Sequence, residues 1–214
     1  MTRIPRFPVY LFDIDGTLVD SQWDICAAVA SVLASTSRPD VSHEVLRGYI
    51  GRHLIELFTQ LFPDLPQAGH EALIAEYRTT YLGRGHRMTK PYPGALETVA
   101  AIGGRKSTAT TKGTPTTRAV LDLFGFLPHF QHVQGTDGFP AKPEPDVVLR
   151  ALAALEAQPE DCLLVGDSAP DMEAGRRAGV NTCAVTYGYG NRDDMARWQP
   201  DYWIDDIREL VPRA

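Results

Sequence analysis

Short apolar strands alternate with helices along this chain, but one long helical stretch interrupts them near the start. That broken alternation restricts the possible folds more than any other feature. Val9-Tyr10-Leu11-Phe12 is a β-prone apolar run ending in acids, and it reads as a buried strand. Between residues 20 and 88 no convincing strand follows. Ser21-Gln22-Trp23-Asp24 has the form of a capping box with Ser21 as N-cap, opening a helix that runs through Ile25 to about Leu33. Helical periodicity continues at Val45, Leu46 and Tyr49, then at Leu54, Leu57, Phe58 and Leu61, then at Leu73, Tyr77 and Tyr81. At this spacing Tyr49, Tyr77 and Tyr81 are expected to be core of the helical stretch.

Past Pro91 the alternation resumes. Gly94–Ala101 predicts a helix, Lys106–Thr110 a strand, and Thr114-Pro115 an N-cap followed by proline at the first helical position, in a helix ending near Gly125. His132-Val133-Gln134, Cys162–Val165, Asn181–Val185 and Tyr202–Ile204 predict strands; Pro145–Ala154 and Pro170–Ala178, the latter closed by Gly179, predict helices. This order implies a parallel sheet with helices on both faces. The expected fold class is α/β: a doubly wound, Rossmann-like parallel-sheet core over residues 1–18 and 89–214, with an all-helical insert over 19–88.

Composition removes several function classes. Lys plus Arg number 21 against 27 Asp plus Glu, a net charge of −6, which argues against a nucleic-acid surface and an anionic membrane partner. No apolar run approaches the ~20 residues of a membrane helix. The basic start Met1–Pro8 is broken by prolines and makes a poor signal peptide. Cys26, Cys162 and Cys183 form no Cys-x-x-Cys pair, so buried thiols in a reducing cytoplasm are expected.

Four segments carry chemistry. Asp13-Ile14-Asp15-Gly16-Thr17 directly follows the first strand, and in open α/β sheets ligands bind beyond the carboxyl ends of strands. Two neighbouring carboxylates repel, so a cation or a shared proton must offset them. Gly166-Asp167-Ser168-Ala169-Pro170-Asp171 follows another buried strand, where Asp167 suits a hard cation and Asp171 also suits the first turn of a helix. Thr110-Thr111-Lys112 offers a hydroxyl and backbone N–H groups for a phosphoryl oxygen. Lys142-Pro143-Glu144-Pro145 holds one of only four lysines on a stiff segment. Taken singly, these are an acidic turn, a helix cap, a common loop and a solvated lysine. Together they are the inventory of phosphoryl transfer: a nucleophile, an acid/base, a metal site and cationic stabilisation.

In this order the motifs resemble the haloacid dehalogenase superfamily of phosphohydrolases. The likeness extends through Tyr92-Pro93-Gly94 and Tyr187-Gly188-Tyr189-Gly190 and so covers essentially the whole chain. Asp15-Gly16-Thr17-Leu18-Val19-Asp20-Ser21, with Asp24, is similar to phosphoglycolate phosphatases and their pyrophosphatase-like relatives. Thr110-Thr111-Lys112 departs from that group's usual Thr-Asn-Lys at Thr111.

The resemblance implies that Asp13 attacks phosphorus to form an aspartyl-phosphate and that Asp15 serves as acid, then base. It implies Mg²⁺ held by Asp13, the Asp15 carbonyl and Asp167, with Asp171 supporting them. Thr110 and Lys142, with Thr111, would bind the phosphoryl group. The insert would act as a cap that selects substrate, with Arg52, in the loop Gly48–His53, meeting an anionic leaving group. His53 and His86 do not suit a hard oxygen site. An acid at position 15 weighs against haloalkanoate dehalogenation, and the lack of any lysine between residues 19 and 88 weighs against phosphonate cleavage through a cap Schiff base.

The expected function is Mg²⁺-dependent hydrolysis of a small phosphorylated metabolite, 2-phosphoglycolate first, by a cytoplasmic monomer or homodimer. A sugar-phosphate mutase, or a pyrophosphatase or nucleotidase, is the alternative on the same scaffold. A catalytically silent binding protein would be expected to have lost Asp13, Asp15, Lys142 or Asp167, and all four are present.

Overall fold

A computed structural model describes residues 4–211; the first residues of the Met1–Pro8 run and the last three of the chain lie outside it. The elements in chain order are β1 (Val9–Phe12), β2 (Val19–Asp20), α1 (Gln22–Leu33), α2 (His43–Arg47), α3 (Leu54–Leu61), α4 (Gln67–Gly83), β3 (Lys90–Pro91), α5 (Ala95–Ala101), β4 (Arg105–Thr108), α6 (Thr114–Leu123), α7 (Asp146–Ala154), β5 (Cys162–Gly166), α8 (Ala169–Ala178), β6 (Asn181–Val185), α9 (Arg192–Ala196) and β7 (Tyr202–Ile204).

Five strands form a parallel sheet in the order β4-β1-β5-β6-β7. Side chains alternate across it. Val9, Leu11, Cys162 and Leu164 pack with α7 and α8, whereas Tyr10, Phe12, Leu163 and Val165 pack with α5 and α6. Both faces are covered, which is why β1 and β5 carry no polar residue. The chain therefore has the α/β parallel-sheet fold class.

Helices α1–α4 fill the interval between β2 and β3 and bury a cluster of their own. Cys26, Val29, Val32 and Leu33 of α1 meet Leu46 of α2, Leu57 and Phe58 of α3 and Ile74 of α4. β2 and β3 pair antiparallel, Val19 with Pro91 and Asp20 with Lys90. This two-residue ribbon brings the entry and exit of the helical stretch side by side, a feature too short for the sequence pattern to reveal.

Three local expectations are corrected. His132-Val133-Gln134 is not a strand, although the segment runs along the free edge of β4. Side chains there replace the backbone ladder: Gln131 Oε1 accepts from Lys106 N at 2.7 Å, and Gln134 N donates to Thr108 Oγ1 at 2.8 Å. Ser21 and Asp24 form no capping box. Ser21 Oγ donates to Asp15, while Asp24 accepts from Arg84, Met88 and Thr89, so long-range partners displace the local cap. Gly113 rather than Thr114 precedes the first turn of α6, and Thr114 Oγ1 instead accepts from Gly135 N at 2.9 Å.

Candidate active site

β1 lies between β4 and β5, so the three carboxyl ends open at one place. Asp13 leaves β1, Ala109 and Thr110 leave β4, and Asp167 leaves β5, all at the reversal of strand order that open α/β sheets use for ligands. Lys142 arrives from the loop before α7. Asp13, Lys142, Asp167 and Asp171 are each no more than 2% exposed.

Lys142 Nζ donates to Asp13 Oδ1 at 2.8 Å, to the Ala109 carbonyl at 3.0 Å and to Asp171 Oδ1. Burial alone would lower the lysine's pKa, but Asp13 and Asp171 more than offset it and keep the ammonium charged. Burial pushes the Asp13 carboxyl up to about 6 even though Lys142 pulls it down. Asp171 is fully committed, because its other oxygen accepts from the backbone N–H and hydroxyl of Ser168 in a capping box on α8. Asp171 thus fixes Lys142 and the helix start.

Asp167 accepts from Thr17 Oγ1 at 3.1 Å and from Tyr189 N at 2.8 Å. Burial, with Asp171 and Asp13 nearby, raises its carboxyl well above the usual range. Asp13, Asp167 and Asp171 offer oxygens within 4.8 Å of one another. Asp13 Oδ2 is buried and without a hydrogen-bond partner among the described residues. An all-oxygen donor set and several buried like charges together fit a hard divalent cation.

Asp15 immediately precedes the turn at Gly16, whose φ of 93° lies in the region that favours glycine. Its oxygens accept from Ser21 Oγ at 2.6 Å and pair with Lys112 Nζ at 3.0 Å. Lys112 also donates to Tyr81 Oη on α4 at 3.0 Å and stands 4.4 Å from that ring's centroid. Burial opposes its charge, but Asp15 and Tyr81 raise its pKa further.

Over Asp15 lies a cavity of about 520 Å³ between the helical unit and the sheet. Its helical walls include Ile25, Val29, Ile74, Tyr77 and Tyr81; the sheet side adds Thr111 and Lys112. Arg52 and Arg78 also line it.

The structure therefore brings Asp13, Lys142, Asp167 and Asp171 into one cluster, with Asp15 at the cavity floor. Thr110 is buried, and its Oγ1 accepts from Lys112 N at 3.3 Å. Thr111 and Arg52 stand in the cavity wall, with the Arg52 guanidinium 5.8 Å from the Tyr49 ring centroid. Tyr81 is buried as expected of helical core, and Tyr49, Tyr77 and Tyr81 also wall the cavity. His53 caps α3 by accepting from Ile55 N at 3.3 Å.

Sequence reasoning gave no site role to Lys112 or Tyr189, and it read Ser21 only as a helix N-cap. Lys112 was visible in Thr110-Thr111-Lys112 as one of four lysines. The glycines either side of Tyr189, both pressed against Asp167, are the signal that could have found it, whereas nothing local tied Ser21 to Asp15. All three cysteines are free and buried. Among the described residues no helix is long and apolar enough to cross a membrane.

The family model of haloacid dehalogenase-like hydrolases matches residues 10–185. Phosphoglycolate phosphatase 1 of Pseudomonas aeruginosa is 34% identical over 100% of this chain and 81% of its own. The phosphoglycolate phosphatase of Aquifex aeolicus is 31% identical over 95% and 94%. Among solved structures, a haloacid dehalogenase-like family hydrolase from Streptococcus pneumoniae superposes with a TM-score of 0.86 at 26% identity, covering 95% of this chain and 96% of that one. A predicted phosphoglycolate phosphatase from Haemophilus somnus superposes at 0.84 with 25% identity and 97% coverage of both chains. With its motifs gathered at the strand ends and relatives sharing a third of its residues from end to end, the chain belongs to the haloacid dehalogenase-like hydrolases and is a phosphatase of that family.

Proposed function

We propose that the protein is a Mg²⁺-dependent phosphomonoesterase that works through an aspartyl-phosphate on Asp13, with 2-phosphoglycolate as its leading substrate. One observation carries this reading: Asp13 is buried with one oxygen held by Lys142 and the other unpaired, as a positioned nucleophile requires. The printed names of the relatives support the choice of substrate.

In the first step the free oxygen of Asp13 bonds to phosphorus as the bond to the leaving oxygen breaks. Asp15 gives that oxygen a proton. In the second step Asp15 takes a proton from water as the water oxygen bonds to phosphorus and the bond between phosphorus and the Asp13 oxygen breaks. Lys142 keeps Asp13 oriented and offsets its charge, and Thr110 and Lys142 bind phosphoryl oxygens, with Thr111 beside them. Asp13, Asp167 and the Asp15 carbonyl would hold Mg²⁺, which supplies positive charge against the carboxylates and the phosphoryl group.

Helices α1–α4, with their linkers over residues 19–88, act as a cap that selects the leaving group. Arg52 meets an anion on it. The cavity of about 520 Å³ exceeds what a two-carbon acid fills, given ~30 Å³ for each water displaced. That volume supports a second reading in which the leaving group is of sugar or nucleoside size.

A panel of metabolite phosphates, assayed with and without Mg²⁺ beside Asp13→Asn, tests the proposal. Phosphate release should require Mg²⁺, peak with 2-phosphoglycolate and fall at least ~10³-fold in Asp13→Asn. Undiminished turnover in that variant overturns the mechanism, and a sugar phosphate or nucleotide as best substrate overturns the phosphoglycolate reading.

A further inference from the structure

The loop Tyr187–Gly190 follows β6, and the phosphatase chemistry above leaves its aromatic residues without a role. Tyr189 is 9% exposed and makes contacts in three directions. Its backbone N–H donates to Asp167 Oδ2 at 2.8 Å. Its hydroxyl accepts from Ser21 N at 2.7 Å and Gln22 N at 3.1 Å, and donates to Asp20 Oδ1 at 2.9 Å. Those residues are the segment by which the chain enters the helical unit. On the outer side Arg47 of α2 donates to the Gly188 carbonyl at 3.3 Å, with its guanidinium 5.5 Å from the Tyr189 ring centroid.

The loop has no room to relax. A Cβ on Gly188 would lie 2.3 Å from Asp167 Cβ, and one on Gly190 would lie 2.0 Å from the Asp167 carbonyl oxygen. Both are under any real contact distance, so the loop is pressed against Asp167 and Tyr189 is held at a fixed height above it. The hydroxyl of Tyr189 thus sets the position of the entry segment relative to Asp167. That segment includes Ser21, whose own hydroxyl meets Asp15.

We propose that Tyr189 is a positioning residue that couples the placement of the helical unit to the readiness of Asp15, with Arg47 as the latch that reports from the helical side. When the entry segment is seated on the Tyr189 hydroxyl, Ser21 is fixed and Asp15 is aimed. When the helical unit moves away, Arg47 leaves the loop, the seating loosens and Asp15 loses its support. The inference rests on the reading of Asp15 as the proton donor to the leaving oxygen.

The readout is the dependence on leaving group. An alkyl phosphate needs its leaving oxygen protonated, whereas 2,4-dinitrophenolate departs without a proton. In Tyr189→Phe, kcat/KM for 2-phosphoglycolate, or for the best alkyl phosphate of the panel, should fall about tenfold; misplaced catalytic groups cost up to ~10². For 2,4-dinitrophenyl phosphate it should change less than about twofold. Arg47→Ala should show the same selectivity at about threefold, and it keeps the test open if the buried tyrosine variant does not fold.

Equal losses on both substrates, in whichever variant folds, mean general loosening and overturn the proposal. Asp15→Asn is the reference. If Asp15→Asn is selective while Tyr189→Phe and Arg47→Ala are not, the coupling fails and the assignment of Asp15 stands. If Asp15→Asn is itself unselective, the assignment falls and the coupling falls with it.

Discussion

The strand-end cluster and the cavity above it are built on opposite principles. At the strand ends, Asp13, Lys142, Asp167 and Asp171 are buried and interlocked, and each accepts or donates across a different element. In the cavity the helical walls are apolar and aromatic, and the cations Arg52 and Arg78 are exposed side chains of a loop and a helix. A preorganised, water-poor charge cluster suits one invariant reaction. A roomy apolar chamber with adjustable charges at its wall suits selection among leaving groups. The contrast teaches that substitutions in the two regions should fail differently: at the strand ends, chemistry and folding together; in the cavity, substrate preference alone.

Lys142→Met should give the largest effect. It strips two buried carboxylates of their cation, and breaking such a pair costs ~3–5 kcal/mol. Activity on every substrate should fall about 10²–10³-fold. Calorimetry and a two-substrate assay check this; a melting temperature within about 2 °C of the parent's would break the claim that this cluster is interlocked.

Asp24→Asn probes the boundary between the two regions. Its buried carboxylate accepts from Met88 N at 2.8 Å, Thr89 Oγ1 at 2.9 Å and Arg84 Nε at 3.1 Å, joining α1 to the chain that leaves α4. Burial raises its pKa, but these donors lower it more, so the net shift is downward. A depressed carboxylate contributes stability that is present above its unfolded value of ~3.9 and lost as pH falls through the folded value. The variant should lose ~1–3 kcal/mol at neutral pH, with the gap to the parent closing below about pH 4. A gap that persists undiminished at pH 3 would remove Asp24 from the boundary's support.

Arg52→Ala is the mildest and the most selective. KM for a carboxylated substrate should rise about five- to tenfold, or ~1–1.4 kcal/mol, while KM for a neutral aryl phosphate stays level. Parallel changes in both would place Arg52 outside leaving-group recognition.

The two regions also differed in how well they could be read from sequence. Asp13 and Asp167 were legible because each directly follows an apolar strand, and Lys142 because it is one of four lysines and stands on a proline-stiffened segment; the topology needed only to bring β1, β4 and β5 together. The helical unit was legible as periodicity, which told where Leu57 and Phe58 point but not which polar partners its ends would find. Ser21 and Asp24 looked like a local cap, yet their hydrogen bonds go to Asp15 and to residues 84–89. The Tyr189 hydroxyl meets Asp20 across 169 positions, beyond any local pattern. His132–Gln134 has the composition of a strand, but Gln131 and Thr108 side chains occupy the hydrogen bonds a ladder would use.

The ribbon of Val19–Asp20 with Lys90–Pro91 has a consequence for how such a chain can change over time. Because departure and return stand side by side, the intervening segment can be shortened, lengthened or exchanged for another without redrawing the path of the sheet. A hairpin turn could close the same gap. On the proposed reading of residues 19–88 as the substrate-selecting unit, new preferences can be acquired by editing a single interval of the gene, while the strand ends below it are inherited intact.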